Sequence, residues 1–117
     1  MRFHRRTLYL AAPYSSAPVL NTNRAIRVAQ VIYDEWKDWF PVVPHLSMLS
    51  DLVTPADADY WYVYTLDQML TCDAIVRLPG ESQGADYEEI VADQHEIHFV
   101  DYDLLPEKAR AIWEGKR

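Results

Sequence analysis

The segment 73–89 places the strongest constraint on how this chain folds. Residues 74–78 form a short apolar run, Pro79 and Gly80 interrupt it, and the chain then continues as an acidic segment that contains Glu88. This order predicts a buried strand, a tight loop and the beginning of a helix. In open α/β sheets, the loops at the carboxyl ends of parallel strands place backbone N–H groups and the first side chains of the next helix around a ligand. We therefore expect Glu88 to face a pocket.

A segment near the N-terminus shows the same pattern. Residues 7–12 are apolar enough for a buried strand, and residues 13–18 contain the proline and serine residues that are typical of a turn. A helix is predicted over residues 21–39, with Asn21 or Asn23 as its N-cap. Because the carboxyl ends of neighbouring parallel strands lie at one edge of a sheet, the two loops are expected to form one crevice. The apolar face of the helix is Ala25, Val28, Ala29, Ile32, Tyr33 and Trp36.

The rest of the chain continues this alternation of strands and helices. An alternating order predicts an α/β fold, a small doubly wound parallel sheet with helices on both faces. A chain of 117 residues with half of its residues apolar is long enough for one core, so residues 1–117 are expected to form a single domain. The further predicted elements are an edge strand at 41–44, a loop or distorted turn at 46–55, an aromatic helix at 56–72, a helix at 86–94, a strand at 97–100 and a helix at 105–114.

Charge and cysteine content exclude several classes of function. The net charge is −7, and between Lys37 and Lys108 the only basic side chain is Arg77, so we expect no nucleic acid polymer as a ligand. One nucleotide is still compatible with this charge, because the N–H groups at a helix start and one or two arginines suffice for a phosphate. The single cysteine, Cys72, and the absence of zinc-type spacing predict no disulfide framework, metal or cofactor. The N-terminal apolar stretch ends at Pro13, which is too early for a signal peptide or a membrane span, so a cytoplasmic protein is expected.

Four short segments that occur in a fixed order along the chain form a pattern more specific than any one of them. They read Tyr-Leu-Ala-Ala-Pro-Tyr-Ser at residues 9–15, Val-Pro-His at 43–45, Cys-Asp-Ala-Ile-Val-Arg-Leu-Pro-Gly at 72–80 and Ser-Gln-Gly-Ala-Asp-Tyr-Glu at 82–88. Together they resemble the nucleoside 2-deoxyribosyltransferase-like superfamily, and within it a group of small bacterial and phage proteins. The resemblance covers most of the chain, from about Thr7 to about Leu105, and implies a flavodoxin-like or Rossmann-like core.

The resemblance implies that Glu88 is the nucleophile that attacks the anomeric carbon of a 2-deoxyribose. A carboxylate suits this role, because it stabilises an oxocarbenium-like transition state and traps it as a covalent glycosyl-enzyme. The residues alone also allow a purely structural interpretation, in which Asp86, Glu88 and Glu89 are first-turn acids favoured by the helix dipole and Asp86 pairs with Glu89 in a capping box. Glu89 lies about 100° around the helix from Glu88, so only one of the two faces a given pocket.

The other candidate site residues also follow from the resemblance. Tyr14, a second catalytic candidate, and its neighbours Ser15 and Ser16 are implied to contact the sugar or the base. Ser82 and Gly84 are implied to hold a phosphate or a sugar hydroxyl, and His45 to meet the base or the phosphate. Ordinary turn hydrogen bonds, or a half-buried histidine, are the structural alternatives. The candidate substrate-binding residues are Ser15, Ser16, His45, Thr65, Ser82 and Gly84.

One position departs from the pattern of the superfamily. Many members carry an aspartate eight residues before the counterpart of Asp73, and here that position is Thr65. Asp67 lies two residues further on, roughly 200° around a helix. Either the helix is locally shifted and Asp67 serves as a catalytic group, or the site lacks this carboxylate. Asp73 itself is interpreted as structural.

The sequence therefore predicts a protein that binds a (deoxy)nucleoside or nucleoside monophosphate and cleaves or transfers its N-glycosidic bond. One alternative is a non-catalytic nucleotide-binding or sensing module, which Thr65 favours; another is a phage-type protein-interaction module. We also expect a homo-oligomer, a dimer or tetramer, with Tyr60, Trp61 and Tyr64 near the contact, although Trp61 and Tyr64 would also suit stacking on a base. The sequence leaves three questions open: which base is bound, whether a 5′-phosphate is needed, and whether the bond is hydrolysed or the sugar is transferred.

Overall fold

A parallel β-sheet forms the centre of the molecule. The computed structural model describes residues 4–14 and 16–116, and in this part of the chain all strand pairs are parallel. The strand order is β2-β1-β3-β4, the order of the flavodoxin-like doubly wound folds. The strands are β1 (Arg6–Ala11), β2 (Trp39–Val42), β3 (Ala74–Arg77) and β4 (His98–Val100).

Helices cover both faces of this sheet. Helices α1 and α5 pack with each other on one face, and α3 and α4 lie on the other face. The predicted fold class is therefore confirmed. Within the described residues, no helix has both the length and the apolar character needed to cross a membrane. The helices are α1 (Pro18–Glu35), α2 (Pro44–Met48), α3 (Ala58–Leu70), α4 (Gln83–Gln94) and α5 (Glu107–Trp113), with 3₁₀ helices at Leu49–Leu52 and Tyr102–Leu104.

Strand β1 is buried on both sides because it lies between two other strands and two helical layers. Leu8 and Leu10 belong to the core on the α1 and α5 side, and Tyr9 and Ala11 belong to the core on the α3 and α4 side. This alternation follows from the two-residue period of a strand. It carries the hydroxyl group of Tyr9 to the α3 and α4 side of the sheet.

The first helix begins earlier than predicted. Its first residue is Pro18, and Asn21 lies inside its first turn, so the predicted caps at Asn21 and Asn23 are wrong. Proline suits this position, since its missing N–H would have no partner in the first turn. The amide of Asn21 instead donates hydrogen bonds to the carbonyl oxygen of Tyr14 (3.3 Å) and to Ser16 Oγ (3.2 Å).

The helix after β3 also begins earlier than predicted, and it has a different cap. Ser82 is its N-cap, and Ser82 Oγ accepts a hydrogen bond from the N–H of Ala85 (3.1 Å). The capping box of Asp86 and Glu89 is wrong, because both carboxylates bind Arg77 instead. The loop or distorted turn predicted at 46–55 is wrong for residues 46–52, which belong to α2 and a 3₁₀ helix, and only residues 53–55 are non-helical.

The loops that follow β1 and β3 touch at Gly80. Its φ angle is +134°, and a Cβ atom there would lie 2.8 Å from Cγ of Pro13. A non-glycine residue would therefore meet both backbone strain and a clash. Gly84 has no such constraint, because it is helical and a Cβ atom there would lie 3.6 Å from Cε2 of Tyr62, an ordinary contact.

Two glycine substitutions test this contrast. We expect Gly80→Ala to lower the free energy of unfolding by about 1–3 kcal/mol, the usual cost of a strained backbone residue. Gly84→Ala is the matched control, and it should be neutral or stabilising by about 0.5–1 kcal/mol, because alanine favours the helix. Urea unfolding of both variants measures the difference. Equal stability of the two variants would contradict the tight contact at Gly80.

Candidate active site

A cleft of about 800 Å³ opens at the carboxyl ends of β1 and β3. It lies where the strand order changes direction, the usual ligand position in an open α/β sheet. Its volume falls within the range of about 300–1,000 Å³ that is typical of small-molecule sites. The walls come from α2, α3 and the beginning of α4, together with the loops after β1 and β3.

A buried tyrosine–glutamate pair lies at this cleft. Glu88 of α4 is 8 % exposed, and Tyr9 of β1 is fully buried. The hydroxyl group of Tyr9 donates a hydrogen bond to Glu88 Oε2. This bond uses one carboxylate oxygen and so orients the group, and none of the described residues donates a hydrogen bond to Oε1.

The surroundings of this pair shift the pKa of both the Glu88 carboxyl group and the Tyr9 hydroxyl group. Burial raises the pKa of Glu88 to about 7, while the hydrogen bond from Tyr9 and the charge of Arg77 act in the opposite direction. Burial, followed by the negative charge of Glu88, raises the pKa of Tyr9 well above its ordinary range, against a smaller lowering by the Thr65 side chain. The shared proton therefore stays on Tyr9, and Glu88 is the group that ionises near neutral pH.

Arg77 fixes the rotation of α4 about its axis. Its guanidinium group binds Asp86 Oδ1 at 2.7 Å and Glu89 Oε2 at 2.9 Å, and it donates to the carbonyl oxygen of Gly80 at 2.6 Å. Glu89 is thereby held on the Arg77 side of the helix. Its neighbour Glu88 faces the cleft, as the 100° step between them predicts.

His45 lies in the cleft wall and is only 1 % exposed. Its Nε2 lies 2.9 Å from the carbonyl oxygen of Pro13, which only accepts hydrogen bonds, so Nε2 carries the proton. Burial lowers the pKa of His45, which keeps the ring neutral. Nδ1 is then an acceptor, and it has no partner among the described residues. The ring of Tyr14, another cleft residue, packs edge-on against His45 at 5.5 Å.

The structure decides between the two positions on α3. Thr65 is buried and lines the cleft, and its hydroxyl donates to the carbonyl oxygen of Tyr62 at 3.1 Å. Asp67 is exposed and does not line the cleft, so its assignment as a catalytic group is wrong. The reason is geometric, because α3 is helical throughout 58–70 and two residues span about 200°. The site lacks a carboxylate at this position.

The remaining predicted residues divide between the cleft and its surroundings. Ser82 and Gly84 line the cleft, although Gly84 lies in the first turn of α4 and not in a loop. Ser16 is exposed and does not line the cleft; its Oγ accepts the bond from Asn21 that orders the beginning of α1. Ser15 lies outside the described residues.

Several cleft residues were not predicted from the sequence as site residues, among them the polar side chains of Tyr9, Asp51, Tyr62, Glu81 and Gln83. Tyr9 stands in an apolar strand, where it resembles any core aromatic residue. Asp51 stands in a segment that was expected to be a loop, and it accepts a hydrogen bond from Trp61 Nε1 at 2.8 Å. Tyr62 lies at the cleft on the other side of α3 from the exposed ring of Tyr64. A signal was present only for Trp61, which the sequence suggested as a stacking or interface residue and which is buried in the cleft wall.

Asp73 lies at the opposite edge of the sheet, away from the cleft. Its Oδ2 accepts hydrogen bonds from the backbone N–H of Thr7 (2.8 Å) and from its hydroxyl (3.2 Å). The carboxylate thus ties the beginning of β3 to the beginning of β1. The structural interpretation of Asp73 is confirmed.

Comparison with known proteins adds no assignment. No protein-family model matches the chain, and no curated protein or solved structure matches it. Among the described residues, no group of three or more histidine, cysteine, aspartate or glutamate side chains is arranged to hold a metal ion.

The buried carboxyl group of Glu88 predicts a pH-dependent stability. Its pKa is about 7 in the folded protein and ordinary in the unfolded chain, so the folded state retains a proton that the unfolded state has already lost. Protonation of Glu88 therefore adds at most about 3 kcal/mol to the free energy of unfolding. This contribution is fully present below about pH 4.5 and is lost as the pH rises through about 7. Glu88→Gln removes this titration and keeps the size of the side chain. Urea unfolding at pH 5 and pH 8 should show a larger fall for the parent than for the variant, and parallel pH profiles would disprove the burial effect.

Proposed function

We propose that the cleft binds a nucleoside or nucleoside monophosphate and that Glu88 cleaves its N-glycosidic bond. The observation that carries the proposal is the buried Tyr9–Glu88 pair at the cleft. It is supported by the resemblance to the nucleoside 2-deoxyribosyltransferase-like superfamily, because three of the four matching segments, 9–15, 43–45 and 82–88, contribute residues to this cleft. The reaction is placed in the cytoplasm, where the single cysteine stays a thiol.

The proposed chemistry begins with attack by Glu88 Oε1 on C1′ of the sugar. A C1′–O bond forms, the C1′–N bond breaks, and its electron pair leaves with the base, which takes a proton from solvent. Water then attacks C1′ of the glycosyl ester, releasing the sugar, the free carboxylate and a proton. If a second base attacks in place of water, the same intermediate gives transfer. The Tyr9 hydroxyl holds the other carboxylate oxygen throughout and so acts as a positioning residue.

The cleft also offers surfaces for the base. Tyr14, Trp61 and Tyr62 line it, and aromatic rings stack on flat heterocycles. Glu88 raises the pKa of Tyr62 further, after the effect of burial, which indicates that this ring lies within electrostatic reach of the carboxylate. A base held by these rings therefore lies close to the proposed nucleophile.

A binding or sensing module is the second candidate, and one observation favours it. Thr65 occupies the position where many members of the resembled superfamily carry an aspartate, so no carboxylic acid on α3 protonates the leaving base. General acid catalysis contributes about 10²-fold or more to such reactions. A protein with this site binds the nucleoside and turns it over slowly or not at all. Product formation separates the two candidates.

Two isosteric substitutions on one helix test the reaction. Glu88→Gln keeps the size of the side chain and removes the anion, so release of free base from a deoxynucleoside or its monophosphate should fall by about 10³-fold or more while ligand-induced thermal stabilisation remains. Glu89→Gln is the matched control, since it loses the same charge one residue away but faces Arg77. Chromatography of the released base measures both rates.

A third variant separates positioning from attack. Tyr9→Phe keeps the buried ring but removes the hydrogen bond that lowers the pKa of Glu88, so the pH midpoint of kcat/KM should move upwards.

Equal activity of the parent, Glu88→Gln and Glu89→Gln would exclude Glu88 as the nucleophile. A parent that binds nucleosides but releases no base would establish the binding module.

The proposal includes assembly of the chain as a homo-oligomer. Neighbouring apolar side chains on α3 and α4 are exposed, among them Tyr60, Val63, Tyr64, Tyr87 and Ile90. Large exposed apolar patches on soluble proteins often mark interaction surfaces, and these side chains lie on two helices that pack against each other. We expect sedimentation at micromolar concentration to give at least a dimer, and Val63→Glu to shift it towards monomer. A parent that sediments only as a monomer would refute this part of the proposal.

A further inference from the structure

Asp51 is a cleft residue that the proposed reaction does not use. It belongs to the 3₁₀ helix Leu49–Leu52 and lines the cleft. Its Oδ1 accepts hydrogen bonds from the backbone N–H of Ala56 (2.7 Å) and from Trp61 Nε1 (2.8 Å). Both bonds use the same oxygen, so the carboxylate is held in place, and Oδ2 accepts no hydrogen bond from the residues that the structure describes.

The two hydrogen bonds also fix the charge of this group. The bond from Ala56, and then that from Trp61, lower the pKa of Asp51, so it is ionised at neutral pH. An ionised carboxylate only accepts hydrogen bonds. Oδ2 therefore attracts a ligand N–H or O–H group and repels a ligand oxygen.

The hydrogen bond from Trp61 holds the Asp51 carboxylate beside the edge of the indole ring. The indole is buried in the cleft wall, and its N–H lies in the plane of the ring, so Asp51 Oδ1 lies near that plane. A flat heterocycle packed along Trp61 then presents its edge, and not its face, to Asp51. The edge of a nucleobase carries its amino and oxo groups.

A second buried acceptor favours a ligand of the same kind. His45 Nδ1 is buried at the cleft without a partner among the described residues, while Nε2 is engaged by Pro13. A buried acceptor without a partner costs free energy. A nucleoside brings a donor to Oδ2 of Asp51 through a base amino group.

We infer that Asp51 is the base-recognition residue and that the cleft selects nucleosides whose base carries an exocyclic amino group over their oxo counterparts. The inference rests on the proposed function, because it names the substrate class of the same site. The matched pairs are 2′-deoxycytidine against 2′-deoxyuridine and 2′-deoxyadenosine against 2′-deoxyinosine, in which an oxo group replaces the amino group and the neighbouring ring nitrogen gains a proton, so that the two members present their N–H donors at different positions of the same edge.

Asp51→Asn tests the inference at a single atom. The asparagine oxygen still accepts the bonds of Ala56 and Trp61, and its NH₂ group replaces Oδ2, so an acceptor becomes a donor. Binding is measured calorimetrically in the Glu88→Gln background, in which the ligand is not consumed. With Asp51 we expect the amino member of each pair to bind at least about tenfold more tightly, and with asparagine we expect this preference to be lost or reversed.

Asp59→Asn is the matched control for charge. Asp59 lies in the first turn of α3, is exposed and does not line the cleft, so its removal should leave the amino preference unchanged. Equal affinity of the Glu88→Gln protein, with Asp51 intact, for both members of each pair would overturn the inference and leave the proposed function intact. If none of the four nucleosides or their 5′-monophosphates binds to this protein or is cleaved by the unsubstituted chain, the proposed function fails and the inference fails with it. The preference is measured first with Asp51 unchanged, so the test does not depend on the folding of the Asp51→Asn variant.

Discussion

The pairing of β1 with β3 is the constraint on which the site depends. The two strands are parallel and in register from Leu8 opposite Ala74 to Ala11 opposite Arg77, so both end at the same edge of the sheet. The loops that follow them meet where Gly80 contacts Pro13. A shift of one residue would turn Tyr9 to the other face and separate it from α4, because side chains alternate along a strand. The register of one strand pair therefore determines whether a glutamate on α4 has a partner.

Burial of the Tyr9–Glu88 pair is costly for stability, and the proposed chemistry depends on this cost. A carboxylate removed from water is destabilised unless hydrogen bonds replace its hydration, and here the hydroxyl of Tyr9 supplies such a bond. The compensation is partial, since the pKa of Glu88 still rises to about 7. A poorly solvated carboxylate is a better nucleophile and a closer counter-ion for a developing sugar cation than one in water. The two apolar clusters on either side of the sheet supply the stability that this arrangement uses.

Much of the fold follows from the sequence, because its signals are local. The apolar runs of β1 and β3 and the helical spacing in α1 predict the doubly wound sheet directly. Helix starts are less predictable, since Pro18 and Ser82 begin helices at residues that also suit turns. Residues 46–52 are helical where their composition indicates a loop or distorted turn. Helix α2 contacts α3 and β1, so tertiary packing overrides local propensity.

The site is less predictable than the fold, because its members are brought together by contacts distant in sequence. Glu88 could be singled out, since it stands at the beginning of a helix after a buried strand. Tyr9 could not, because a tyrosine in an apolar strand has the same pattern whether its hydroxyl meets a carboxylate or solvent. Asp51 has no sequence signal, and the role proposed for it depends on Ala56 and on an indole ten residues away.

Helix α4 shows how one element separates structure from chemistry. Its N-cap serine and the ion pairs of Arg77 with Asp86 and Glu89 satisfy the polar groups that a helix start exposes. Glu88 contributes to none of these contacts. Because the beginning of the helix is stabilised by its neighbours, a carboxylate at this position is not needed for capping, and its burial against Tyr9 lowers stability at neutral pH. A side chain that a simpler residue could replace with a gain in stability calls for another explanation, and an open cleft beside it supplies one.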